Sequence, residues 1–166
     1  MRFAPFERLP EINRFGFSPI EAYAWHRDFI ARHRDAYDPR SLGRILRGET
    51  ASAADYLDLI AQRAKMIAQA QEALWQRFDV VVAPTVAITP PRVAPLVADD
   101  DAFARTNALV LRNASAINFL DACALSLPCH RHGAAPVGLM LAAAPYADDA
   151  LLAVGRAVEA VLAPLR

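Results

Sequence analysis

The chain has 166 residues, 55% of them apolar and 22% charged, the make-up of a soluble globular protein long enough for one ordinary domain. Its eighteen basic and eighteen acidic residues cancel and are spread along the whole length, so no basic stripe follows a phosphate backbone and nucleic acid is not an expected partner. No apolar run approaches the roughly 20 residues of a membrane span, and Met1-Arg2-Phe3-Ala4-Pro5 is not followed by the apolar core of a signal peptide. A cytoplasmic location and no membrane partner are the expectations.

The opening through Phe17 mixes prolines, charges and apolar residues without a period, which predicts a connector over 1–17. Ser18-Pro19-Ile20-Glu21 then offers a capping serine, a proline at the first helical position and a glutamate able to reach back, so a helix is expected to start at Ser18. Ala22, Trp25 and Phe29 share its apolar face. Asp38-Pro39 starts a shorter helix through Leu42, Ile45 and Leu46, with Gly48 placed to stop it. Ser52 caps the longest helix, which carries Leu57, Ile60, Ala64, Ile67 and Leu74 and ends near Phe78.

Asp79-Val80-Val81-Val82-Ala83, closed by Pro84, is a short β-branched apolar run, the pattern of a strand buried on both faces. Four prolines and the Asp99-Asp100-Asp101 cluster predict a long surface loop over 84–101. A helix over 102–113 follows. Residues 123–129 and 137–142 read as two strands of a hairpin, and Asp148-Asp149 opens a last helix with Leu151, Val154, Val158 and Val161 as its buried stripe. The expected fold is therefore α/β, a single domain over 1–166. Its small sheet of about three or more strands, one buried strand plus a hairpin, is covered by about five helices.

Ordered segments carry a resemblance. They are Gly16-Phe17-Ser18-Pro19-Ile20-Glu21-Ala22-Tyr23, Tyr37-Asp38-Pro39, Arg44-Ile45-Leu46-Arg47-Gly48, Ala53-Ala54-Asp55-Tyr56, Phe78 through Thr85, Asn118 ahead of Leu125-Ser126-Leu127-Pro128-Cys129, and Pro136-Val137-Gly138-Leu139-Met140-Leu141. Taken in this order and spacing they resemble the carboxyl-terminal portion of the amidase signature family, including amidases and the A subunit of glutamyl-tRNA amidotransferase. Two positions depart from the family pattern: its usual glycine and proline after the asparagine are Asp121 and Cys123 here.

The resemblance implies hydrolysis of an amide C–N bond by a serine nucleophile, a second serine with a cis peptide and a lysine base, in a glycine- and serine-rich context. This chain does not show that context. Its serines are Ser18, Ser41, Ser52, Ser115 and Ser126, none adjacent, its glycines are never paired, and its only lysine is Lys65, in mid-helix. The chain on its own is expected to be inactive, with no catalytic residue assigned. A non-catalytic scaffold that pairs with a separate amino-terminal half, or with itself, is the alternative. A small amide is expected as ligand only in the complete enzyme.

Other chemistries find less support. A Ser126 triad with His130 or His132 and Asp148 puts its nucleophile inside an apolar strand. Cys129-His130-Arg131-His132 sets consecutive metal donors on one turn without distant partners, so no metal site and no cofactor are expected. Cys123 and Cys129 lie about 20 Å apart along an extended strand, which rules out a bridge and suits a reducing compartment. Trp25 and Trp75 read as core aromatics. Two substrate-binding candidates remain. The resemblance aligns Arg44 with an arginine that holds a substrate carboxylate in glutamine-using members, against a plain helix-surface arginine. Thr85 sits where a strand gives way to a long loop, a usual place for binding residues, against a plain turn residue.

Overall fold

The computed structural model describes residues 3–14 and 16–165. Its helices are α1 (Pro5–Ile12), α2 (Phe17–His33), α3 (Pro39–Leu46), α4 (Ala53–Ala70), α5 (Val93–Ala98), α6 (Asp100–Phe119) and α7 (Asp148–Leu162). The strands β1 (Val81–Pro84), β2 (Cys123–Pro128) and β3 (Gly138–Ala143) form one antiparallel sheet in the order β1-β3-β2. The class is α/β, as expected. The chain divides into two compact units, Met1–Met66 and Ile67–Arg166.

In the first unit the residues read as a connector contain α1, which places Pro5 in its first turn, where no intrahelical N–H partner is lost. Helix α2 starts at Phe17, two residues before the first helical position expected at Pro19, behind Gly16 at φ +81°, and Ser18 forms no side-chain cap. Glu21 is engaged elsewhere: it accepts the Tyr56 hydroxyl at 3.0 Å, while Tyr23 donates to Glu49 at 3.0 Å. Each phenol pKa is raised by the carboxylate that accepts its proton.

Ile30, Leu42, Leu59 and Met66 are buried in this unit. Trp25 is not a core residue; it is 83% exposed. Gly48 follows the end of α3 as expected, but its role is close packing. A Cβ there would run into the Pro19 carbonyl and the Ile20 backbone, so the missing side chain is what lets the first turn of α2 lie against it.

Three carboxylates hold helix starts. Asp38 accepts from the Ser41 N–H at 2.9 Å, and Asp99 from the Ala102 N–H at 3.0 Å. Ser52 and Asp55 cap reciprocally: the Ser52 hydroxyl (2.6 Å) and N–H (2.8 Å) donate to the Asp55 carboxylate, and the Asp55 N–H donates to the Ser52 hydroxyl at 3.1 Å.

In the second unit, α4 gives way to a wider π-helical turn at Gln71–Trp75, which buries Leu74 and leaves Trp75 half-buried. The segment expected to be one long loop over 84–101 contains α5 and the start of α6. Pro95 is the third residue of α5, within the first turn whose N–H groups have no intrahelical acceptor, so it does not break the helix. Asp99 caps α6, and Asp100 and Asp101 lie in its positive first turn. With no glycine or proline between Ala102 and Phe119, α6 continues six residues past its expected end at Asn113.

The strand buried on both faces is β3, not β1. Met140, Leu141, Ala142 and Ala143 are all buried, because β3 is the central strand, whereas β1 is an edge on which Val82 is 57% exposed. The β2–β3 hairpin forms as read, with Leu125 opposite Leu141 and Ser126 opposite Met140. Paired residues share a face, so Cys123, Leu125 and Leu127 join Leu139, Leu141 and Ala143 on one side. Helix α7 closes that side with Leu151, Val154 and Val158. Gly155 brings the helix close, since a Cβ there would meet Leu125 Cδ2 at 2.8 Å.

The capping contacts make stability depend on pH. The pKa of Asp38 is lowered chiefly by the Ser41 N–H, that of Asp55 by the Ser52 hydroxyl, and that of Asp99 by the Ala102 N–H. A depressed folded pKa gives stabilisation that is present above the unfolded value of about 3.9 and lost as pH falls through the lower folded values. The thermal midpoint, followed by circular dichroism, should fall between about pH 6 and about pH 3, and by less in a D38N/D99N variant. An unchanged pH dependence in that variant would remove the caps as its cause.

Candidate functional site

The central strand is bare at Gly138, and two hydroxyls meet across it. Thr85, directly after β1, and Ser126, in β2, flank Gly138 on the same sheet face, with Thr85 Oγ1 and Ser126 Oγ 2.6 Å apart. A Cβ on residue 138 would sit 2.6 Å from Ser126 Oγ and 2.7 Å from Thr85 Oγ1. No other residue type leaves room for the pair.

Thr85 is fixed from further directions. Its N–H donates to the Gly138 carbonyl at 2.8 Å, and the preceding Pro84 carbonyl accepts from Asn113 Nδ2 of α6 at 2.8 Å. From this anchor the chain runs along a groove of about 440 Å³, formed by residues 86–91, Val110 of α6, Pro136, Val137 and Gly138. None of its lining residues is charged. The part of the expected loop that remains irregular is thus the part that borders a cavity.

The other singled-out residues are placed as follows. Arg44 is exposed on α3 in the first unit and makes no hydrogen bond or ion pair to a described residue. Thr85 belongs to the second unit. Lys65 is exposed on α4. Ser126 partners Thr85, while His130 Nδ1 accepts from the Val137 N–H at 3.3 Å. The Cys129 thiol donates to the Val137 carbonyl at 3.5 Å, and the Cys123 thiol to the Ala144 carbonyl at 3.2 Å.

Sequence reasoning misses Asn113 and weighs Ser126 only as a nucleophile, not as a partner of Thr85. The signal for Ser126 is present in the alternation Ala124, Ser126 against Leu125, Leu127, which assigns the serine to a face away from the leucines. Nothing local marks Asn113, whose partner lies 29 residues away.

The Amidase family profile matches residues 20–152. The chain belongs to the amidase signature family. It is 29% identical over 157 residues to a 2-amino-5-chloromuconic acid deaminase of Comamonas testosteroni, covering 94% of this chain and 34% of that protein. It is 32% identical over 135 residues to the A subunit of the glutamyl-tRNA(Gln) amidotransferase of Mycobacterium tuberculosis, covering 78% of this chain and 26% of the other.

Among solved structures, the urea amidolyase of K. lactis superposes with a TM-score of 0.79 at 22% identity, over 92% of this chain and 9% of that one. The crystal structure of an amidase gives 0.74 at 24% identity, over 95% and 36%. At these identities the structures establish a shared fold. The chain spans about a third or less of the length of the curated relatives it matches.

The departure at position 121 has a structural reason. Asp121 lies just past α6 in the left-handed region, at φ +60°, with its N–H bonded to the Asn118 carbonyl at 3.1 Å. That conformation favours glycine at a helix end, and aspartate is among the few other residues that adopt it at low cost. Asp121→Gly should therefore stay within about 1 kcal/mol of the native stability in urea denaturation, and Asp121→Val should lose about 1–2 kcal/mol. Equal losses in the two variants would show that backbone conformation does not decide the residue here.

Proposed function

We propose that these 166 residues are the carboxyl-terminal part of an amide C–N hydrolase and do not by themselves hold its catalytic machinery. The observation that carries this reading is the chain's inventory of reactive groups, set beside its membership of the amidase family. The only lysine is exposed on a helix, the five serines are scattered, and Ser126 pairs with another hydroxyl rather than a base. A serine is a weak nucleophile until a base takes its proton and donors receive the oxyanion. In the complete enzyme the reaction is acyl transfer from the amide nitrogen to a serine oxygen and then to water, releasing the amine and the acid.

Within such an enzyme this part contributes to the substrate pocket. The curated relatives are named for deamination and amidotransfer, and one solved neighbour, at TM-score 0.72, is a 6-aminohexanoate cyclic dimer hydrolase complexed with substrate. Thr85, at the head of the groove, is one substrate-binding residue of this reading; Arg44, which makes no hydrogen bond or ion pair to a described residue, is the other, for a substrate that carries a carboxylate. The purified chain should neither hydrolyse simple amides nor be labelled by a fluorophosphonate. Labelling at any of its serines, abolished by substituting that serine, would overturn the reading.

The surface favours a companion reading in which the chain works as a scaffold docked on an amino-terminal half or on itself. It exposes 11187 Å², whereas two separate globules the size of its units would expose together about 9,700 Å². Apolar side chains contribute to the excess, among them Val82 on the sheet edge, where unpaired backbone groups also lie open. Light scattering behind gel filtration should find the chain self-associated, or binding a hydrophobic dye as a monomer. A monodisperse monomer that binds no dye would remove the need for a partner.

A further inference from the structure

Two hydroxyls 2.6 Å apart have two hydrogens between them and use one in their mutual bond. The second hydrogen remains on whichever oxygen accepts. Neither side chain makes another hydrogen bond to a described residue, and Ser126 is exposed while Thr85 is half-buried. The pair therefore offers one unspent donor and several lone pairs at a fixed place. That place adjoins the groove, because Gly138 lies directly beneath both oxygens and also lines the cavity.

We propose that the Thr85–Ser126 pair is a positioning site for the amide group of an uncharged ligand whose apolar substituent lies along the groove. This rests on the amidase reading through Thr85 and not through Arg44, and it names the substrate class: amides with an uncharged, apolar acyl group, which offer no carboxylate to a guanidinium. An amide matches the pair in both senses, since its carbonyl oxygen accepts the unspent hydrogen and its N–H donates to a hydroxyl lone pair. A carboxylate or an ammonium matches it less well. Neither charge meets a counter-charge among the groove residues, and each would give up hydration on entering.

The pair is also held in place before a ligand arrives. Thr85 is tied through its own N–H to Gly138 and through the Pro84 carbonyl to Asn113, so binding does not have to order it. Thr85 and Ser126 act here as positioning residues, not as nucleophiles.

The test uses the full chain, labelled with ¹⁵N, and hexanamide as the probe. Titration should shift the backbone resonances of Thr85, Val86, Ala87, Ile88, Ser126 and Gly138, with hexanoate and hexylammonium binding more weakly. Thr85→Val keeps the shape and removes the hydroxyl, and should raise the hexanamide Kd by about fivefold, the worth of one net hydrogen bond. Thr85→Ser should return it to within about twofold of the native value. Dispersed spectra from both variants confirm that they are folded.

No shift at these residues, an equal Kd for Thr85→Val and the native chain, or a preference for either charged probe would overturn the proposal. These outcomes are separate from the failure of the amidase reading, which is registered by covalent labelling of a serine and not by reversible binding.

Discussion

The geometry of the second unit depends on a missing side chain. With β3 between β1 and β2, residues on the two outer strands are normally kept apart by whatever the central strand carries. At position 138 it carries nothing, so Thr85 and Ser126 close to 2.6 Å over the backbone. The turn entering β3 and the loop leaving β1 then converge at one point, and the groove begins there. An alanine would keep the hairpin in register and still prevent the hydroxyls from meeting.

The opposite face of the sheet shows how that point is kept rigid. Helix α7 lies on β2 and β3 through Leu151, Val154 and Val158, and a second glycine, Gly155, lets it settle against Leu125. The hydrophobic side chains of β2 are thus turned towards α7, which leaves Ala124 and Ser126 for the other side. Edge strand β1 has no such cover, and Val82 stands in water as a result. The unit is well packed behind the site and open beside it.

Much of the fold is legible in the sequence because it rests on local rules. Two apolar runs on either side of a turn find the hairpin, an acidic first turn and an apolar stripe find α7, and Asp38 and Ser52 announce the starts of α3 and α4. The misreadings arise where one local rule meets another. Proline reads as a breaker at Pro5 and Pro95, though both fall in first turns that lose no hydrogen bond. The Asp99-Asp100-Asp101 cluster has the composition of a loop and is a helix start. An unbroken apolar run suggests burial on both faces, but sheet order, a non-local property, makes β1 an edge. Thr85 is singled out as a candidate from its place at a strand end. Its partner Ser126 lies 41 residues away, and Asn113 lies 29 residues from Pro84, both beyond any pattern of short range.

The chemistry of the hydroxyl pair sets what it contributes. Each oxygen has the other as its nearest polar neighbour, and a neutral alcohol does not remove a proton from another alcohol at neutral pH, so neither oxygen is activated to attack a carbonyl. A hydrogen bond of this kind instead polarises the second O–H, which makes it a better donor to an outside acceptor. Orientation and activation are therefore different tasks carried by different parts of an amide hydrolase. On the proposed reading, a glycine, two hydroxyls and an uncharged groove serve the first task and not the second.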